Sequence, residues 1–168
     1  MTSTDPGGTP DPRGRLVLVT GTRADDRAAL ACAVAERLER AVVVDGAALE
    51  VAVTTGPVAG WDEPPTTQQL RLRLLRWSAA LAVAETYQLE GFDAVVAEDA
   101  LGDRLEDFLD LVEPEPVHVV VLRDPVDATT PHWGLSLPVP GDDRDLADLA
   151  DQVVERLAEA LVATTATD

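Results

Sequence analysis

Lysine, asparagine and isoleucine are missing from this 168-residue chain, and cysteine occurs once. Without lysine, no side chain can form a Schiff base with a carbonyl substrate. The lone Cys32 leaves no disulfide or multi-cysteine metal framework within the chain, and its place in a helical pattern is that of a packed, inert thiol. The two histidines, His118 and His132, have no metal-ligand spacing to each other or to the cysteine, so no metal site is expected. Apolar runs stay far below the ~20 residues a membrane span needs. Basic residues are scarce: 13, all arginine, against 31 acidic ones, for a net charge of -18. Such a surface repels the phosphates of nucleic acid and anionic lipid, so neither nucleic acid nor membrane is an expected partner. Residues 1–14 lack the basic start and apolar middle of a secretory signal and read as a flexible tail, which gives a cytoplasmic protein as the expectation.

What is abundant points to an ordinary globular core. Hydrophobic residues make up 46%, and a chain of this length buries roughly 70% of the surface its unfolded form exposes. One domain over 15–163, with a short tail at 164–168, is expected. Alanine, valine, leucine, aspartate and arginine dominate while lysine, asparagine and isoleucine are absent, the pattern of a chain whose codons avoid A and T. That composition points to a high-GC bacterial source and accounts for much of the arginine-for-lysine usage, while the acidity reads as a solubility feature.

Apolar strand-like runs recur at 16–20, 41–44, 94–97, 117–122 and, more weakly, 134–139. They alternate with helical patterns, which predicts an α/β layer fold with a mainly parallel sheet covered on both faces. Helices are expected over 25–40, 46–53, 66–90, 103–112 and through the C-terminal stripe of Leu146, Leu149, Val153, Leu157 and Leu161. In the first helix Leu30, Val34 and Leu38 share a face. In the long helix Leu70, Leu74, Trp77, Leu81 and Ala84 form the expected buried stripe, with Arg73 and Arg76 on a neighbouring face.

The run Leu16-Val17-Leu18-Val19-Thr20-Gly21 is a strand ending in glycine and followed by a helix, the setting of a phosphate loop. Laid on G-x-x-x-x-G-K-[ST], the octet Gly21-Thr22-Arg23-Ala24-Asp25-Asp26-Arg27-Ala28 keeps the first glycine. It puts Asp26, Arg27 and Ala28 where the pattern has glycine, lysine and a hydroxyl residue. The substitutions remove the backbone freedom, the ammonium and the hydroxyl that cradle phosphate and Mg2+. Asp25 or Asp26 is expected to cap the helix and fill the anion position, with Arg27 paired to Asp26, Asp45 or Glu98.

Together with Arg40-Ala-Val-Val-Val-Asp45-Gly46, Gln68-Gln-Leu-Arg-Leu-Arg73, Gly91-Phe-Asp-Ala-Val-Val-Ala-Glu98-Asp99 and Pro116-Val-His118-Val-Val-Val-Leu122, this order resembles the P-loop kinase superfamily. The resembling branch is that of small phosphotransferases similar to chloramphenicol phosphotransferase and nucleoside kinases. The resemblance implies a three-layer α/β domain with a five-stranded sheet of order 2-3-1-4-5 and a ligand crevice at the strands' carboxyl ends. It also implies a general base at Asp45, acids near metal and phosphates at Glu98 and Asp99, and an acceptor pocket bordered by Trp61 and the long helix. The family's helical, arginine-bearing lid has no counterpart in the short, Pro-containing connector 123–133.

The residues therefore divide into an acid set, Asp45, Glu98 and Asp99, with acid/base potential, and a ligand-binding set, Arg27, Trp61, Arg73, Arg76, Arg104 and His132. His118, inside an apolar strand, reads as a hydrogen-bonded core histidine. Trp61 and Trp133 read as packing residues. Three functions remain open. The first is a degenerate kinase-like protein, a pseudokinase, that binds a small anionic ligand or a protein partner at the old crevice, with no cofactor and no ATP–Mg2+. The second is a nucleotide-independent enzyme of specialised metabolism that uses the carboxylates. The third is a residual phosphotransferase with Arg27 replacing lysine. A second copy of the chain is one candidate to cover an apolar patch near Trp133. A short-chain dehydrogenase is excluded because its Tyr-x-x-x-Lys chemistry needs lysine and the later glycines of G-x-G-x-x-G are missing. Ser78 and Ser136 have no G-x-S-x-G elbow.

Overall fold

The structure, a computed structural model, describes residues 13–57, 64–124 and 129–162. β1 (Leu16–Gly21) is buried at every position, as a strand covered on both faces must be. It lies at the centre of the sheet, parallel to β3 (Asp93–Ala97) on one side and β4 (Val117–Arg123) on the other. β2 (Ala41–Asp45) extends the sheet beyond β3, and β5 (Leu135–Pro138) extends it beyond β4, giving the order β2-β3-β1-β4-β5. A strand missed in the sequence, β6 (Leu161–Val162), pairs antiparallel with the start of β4.

Helices cover both faces. α3 (Thr67–Gln88) and α4 (Asp103–Val112) close one core around Leu18, Val96, Trp77 and Phe108. Trp77 and Phe108 meet edge to face with centroids 5.4 Å apart. α1 (Ala24–Ala35) and α5 (Asp143–Glu155) close the other core around Val17, Leu30, Val34, Leu122 and Val153. α2 (Gly46–Val51) leaves β2 directly. α3 starts with a full capping box, in which the Thr66 hydroxyl accepts from Gln69 N–H and Gln69 accepts from Thr66 N–H. No helix among the described residues is long and apolar enough to cross a membrane.

Four expectations need correction. The first helix stops at Ala35 and not at residue 40, with Leu38 reaching its core from the following turns. The last helix stops at Glu155; Leu157 is buried in a one-turn 3-10 helix, while Leu161 sits about half exposed in β6. Cys32 lies on the exposed side of α1 rather than in the core. The buried face of α3 is Arg73, Trp77, Ala80, Ala84 and Gln88, whereas Leu70 and Leu74 are 42% and 46% exposed. The stripe is rotated because burial on this helix is decided by ion pairing as well as by apolar area.

His118 behaves as expected of a core histidine: its Nδ1–H donates to the Leu16 carbonyl at 3.3 Å, and burial holds its pKa below the ordinary value.

Candidate functional site

Only Thr22 and Arg23 separate β1 from α1, which begins at Ala24. The octet that could have formed an open phosphate loop has therefore wound into helix from its fourth residue onward. Arg23 occupies the cap position without a side-chain cap bond, and neither Asp25 nor Asp26 caps the helix as expected. Asp26 instead stands 3.4 Å from the Arg23 guanidinium. Gly21 is held close to β4, where a Cβ would approach the Leu122 Cβ to 2.9 Å. Thr22 is exposed and Ala28 half-buried.

Arg27, at the lysine position, is 6% exposed. Its Nη1 donates to the Gly21 carbonyl at 2.6 Å, turning the guanidinium back onto the first glycine of its own loop. Its Nε has no hydrogen-bond partner among the described residues. The expected pairing with Asp26, Asp45 or Glu98 is not made; Asp99, Glu98 and Asp45 act on Arg27 only as a field. Burial pulls its pKa below the ordinary value, those three acids oppose the shift, and Arg76 adds to it. A buried cation without a direct counter-ion is costly. Arg27→Met is accordingly expected to change stability by no more than about 1 kcal/mol, and in the stabilising direction; urea denaturation of the two proteins checks this.

The acids gather at the ends of β2 and β3. Asp45 stands across from Ala97, one residue before Glu98. Its Oδ1 accepts from Ala47 N–H at 3.0 Å and caps α2, which commits one oxygen of the expected base to structure. Glu98 is fully buried. Arg76 grips it with two parallel bonds, Nε to Oε1 at 3.1 Å and Nη2 to Oε2 at 2.7 Å. The same Nη2 reaches Asp99 Oδ1 at 2.7 Å, Nη1 donates to Glu50, and Arg73 donates to the same Asp99 oxygen. Arg73 and Arg76 act together because positions three apart share a helix face.

The result is a network of two guanidiniums and three carboxylates, with Arg27 nearby. Burial raises the Glu98 pKa above the ordinary glutamate value; Arg76 pulls against this, and Asp99 adds to it. Burial lowers the Arg76 pKa, but Glu98, Asp99 and Glu50 outweigh it and hold the guanidinium above its ordinary value. Gly46 packs so tightly on the Glu98 carboxylate that a Cβ there would lie 1.8 Å from Oε1.

The structure thus brings together five residues singled out from sequence: Arg27, Arg73, Arg76, Glu98 and Asp99, with Asp45 beside them. Arg104, whose Nε donates to Leu101 O at 3.3 Å at the start of α4, lines one cavity with Arg73, whereas His132 is exposed ahead of β5. Trp61 lies outside the described residues. Glu50 and Gly46 were missed. A signal existed for both: an Asp-Gly step at a strand end, opening a helix, places Glu50 one turn on, over the same edge.

Four cavities of 320 to 560 Å3 lie along α2, α3 and α4 and their neighbouring segments, and none of the four is walled by Asp45, Glu98, Asp99 or Arg27. No group of three or more histidine, cysteine or acidic residues among those described is placed to hold a metal ion.

No protein-family profile matches the chain, and no curated protein sequence matches it. Solved structures do. An APS kinase variant from Mycobacterium tuberculosis superposes with a TM-score of 0.63 at 20% identity, covering 88% of this chain and 99% of that one. A sugar kinase from Janibacter matches at 0.58 and 17%, over 90% of this chain and 99% of that one. A gluconokinase from Sinorhizobium meliloti matches at 0.54 and 14%, over 86% and 94%. At these identities the likeness is one of fold: an α/β domain with the strand order and helix layers of P-loop kinases.

Proposed function

We propose that this P-loop kinase fold has given up ATP-dependent phosphoryl transfer and works by binding, taking a small anionic ligand or a protein partner at the former crevice. The observation that carries the proposal is the start of α1 at Ala24, two residues after β1, with Arg27 folded back on the Gly21 carbonyl. A phosphate cradle needs several backbone N–H groups of an open loop turned toward one point. Here those residues are inside a helix.

Two further features support loss of the reaction. Residues 124–134, which join β4 to β5, are too few for a helical lid that would exclude water. Arg123 instead fastens that connector, donating to the carbonyls of Thr130 at 3.1 Å and Pro131 at 2.9 Å. The carboxylates that a kinase would spend on Mg2+ are spent on Arg73 and Arg76. An anion entering the crevice takes the place of Asp99 on Arg73 and Arg76, or of Glu50 on Arg76, the two partly exposed acids of the network.

The second reading, a nucleotide-independent enzyme, draws on one observation, the buried Glu98 with its raised pKa at the sheet edge. Against it, Arg76 holds both Glu98 oxygens and the side chain is fully buried under Gly46, so a substrate proton reaches it only by displacing its neighbours.

The test is thermal denaturation with ATP, GTP and ADP, each with and without Mg2+. A nucleotide present at about 100 times its Kd adds about 2.7 kcal/mol, which in a domain of this size raises Tm by roughly 5–10 °C. No shift is the expected result. A Mg2+-dependent rise of that size would return Arg27 to the role of the missing lysine.

A further inference from the structure

The rotated face of α3 leaves a groove beside α4 that meets the site only at Arg73. On one wall α3 exposes Leu70 and Leu74, one helical turn apart; on the other α4 exposes Leu111. Two cavities lie along it between the helices. One of 320 Å3 is lined by Leu70, Leu74 and Trp77 together with Arg73, Arg104, Asp107 and Asp110. One of 390 Å3 follows toward the other end, lined by Leu81, Leu111 and Val112 together with Glu113. Apolar side chains of α3 line both cavities, Leu70, Leu74 and Trp77 in the first and Leu81 in the second.

The rim carries a stripe of acids. Asp103, Glu106, Asp107 and Asp110 on α4 and Glu113 at its end share one side of the helix, and none forms an ion pair among the described residues. The cations at the groove are already engaged: Arg73 with Asp99, Arg13 with Glu115 and, at 3.9 Å, Glu85, and Arg104 with the Leu101 carbonyl at 3.3 Å. An apolar trough beside a stripe of unspent carboxylates has the shape and charge to take a helix with one leucine-rich face and a basic flank.

We infer that the α3–α4 groove docks a basic amphipathic helix of a partner protein. A second copy of this chain is the poorer occupant: each copy carries a net charge of -18, and α1, α4 and α5 all begin with acidic residues. The inference is independent of whether the nucleotide site works, because the groove lies along the outer side of α3 and α4 and uses none of the acids at the sheet edge.

The experiment uses fluorescein-labelled 18-residue peptides and the full-length chain, read by anisotropy. One peptide carries leucine at helical spacing and lysine elsewhere; an 18-residue helix is about 27 Å long, enough to follow the groove. A second has the same composition scrambled so that no apolar face forms, and a third replaces lysine with glutamate. The basic amphipathic peptide is expected to bind saturably, with the scrambled and acidic peptides weaker by about 10-fold or more. Leu74→Gln with Leu111→Gln leaves net charge unchanged and alters only exposed positions, so folding persists, as circular dichroism would verify. This variant is expected to weaken binding by about 10-fold. Asp143→Asn with Asp145→Asn, which removes the same type of charge on α5, is expected to leave it within about two-fold. Equal binding of the scrambled peptide, or no effect of the leucine changes, would reduce the attraction to bulk charge and overturn the inference. A dimer in sedimentation that the leucine changes dissociate would also overturn it, by giving the groove to a second copy.

Discussion

Replacing Arg76 with alanine is expected to cost about 3–5 kcal/mol at pH 7, because it leaves the fully buried Glu98 without its partner. Tm should fall by roughly 6–20 °C for a domain of this size. The arginine serves three acids at once, so the loss exceeds that of any surface pair: Glu98 loses both bonds, Asp99 keeps only Arg73, and Glu50 loses the ion pair it makes here. The cost should also depend on pH. The Glu98 pKa is raised in the folded protein, so the folded state binds its proton more tightly than the unfolded state does. Stability from this group is present below the ordinary glutamate value of 4.5 and is lost as pH rises through the raised value. Without Arg76 that loss is larger, so the penalty of Arg76→Ala should grow as pH increases. In the double variant Arg76→Ala with Glu98→Gln this growth should vanish. Urea denaturation of the four proteins across pH 5 to pH 8 provides the check.

Gly46→Ala should be damaging out of proportion to one methyl group. The backbone of Gly46 has no unusual conformation, so alanine is barred by space alone. The new Cβ would lie 1.8 Å from Glu98 Oε1 and 2.2 Å from its Cδ. That carboxylate has nowhere to retreat, since it is buried on every side and held by the Arg76 fork. Either α2 shifts away from β3 or the fork opens, and the expected cost is roughly 1–3 kcal/mol from overpacking before any lost ion pairing. On top of Glu98→Ala, which empties the space, Gly46→Ala should cost almost nothing. A double-mutant cycle by denaturation measures that coupling, and additive costs would mean that the strain lies elsewhere.

The sheet was legible because its strands are continuous apolar runs. 16–20, 41–44, 94–97 and 117–122 each match an observed strand to within one residue at either end. The helix faces were less so. α3 carries leucines at 70, 72, 74, 75 and 81, which offer several candidate stripes, and the one chosen by periodicity put Arg73 and Arg76 to the side. A hydrophobic stripe cannot register that two arginines are buried because acids wait for them at the end of β3. The same blindness covers Leu161, which completes a helical pattern but pairs with β4, and Cys32, which lies on the open side of α1. At the site, the residue types were readable and their pairing was not. Glu98, Asp99, Arg73 and Arg76 could be named from strand ends and helix spacing. That Arg27 would prefer the Gly21 carbonyl to a carboxylate depends on α1 starting early, and local sequence does not fix that start when no cap residue marks it.

A loop after β1 that has wound into helix from Ala24 should not hold a triphosphate. Calorimetric titration of ATP with Mg2+ into the wild-type chain, beside a variant with Ala24→Gly, Asp26→Gly, Arg27→Lys and Ala28→Ser, tests it most directly. The account predicts no binding heat for the wild type, and a saturable, Mg2+-dependent heat once the glycines, ammonium and hydroxyl are returned. Saturable heat from the wild-type chain alone would contradict it.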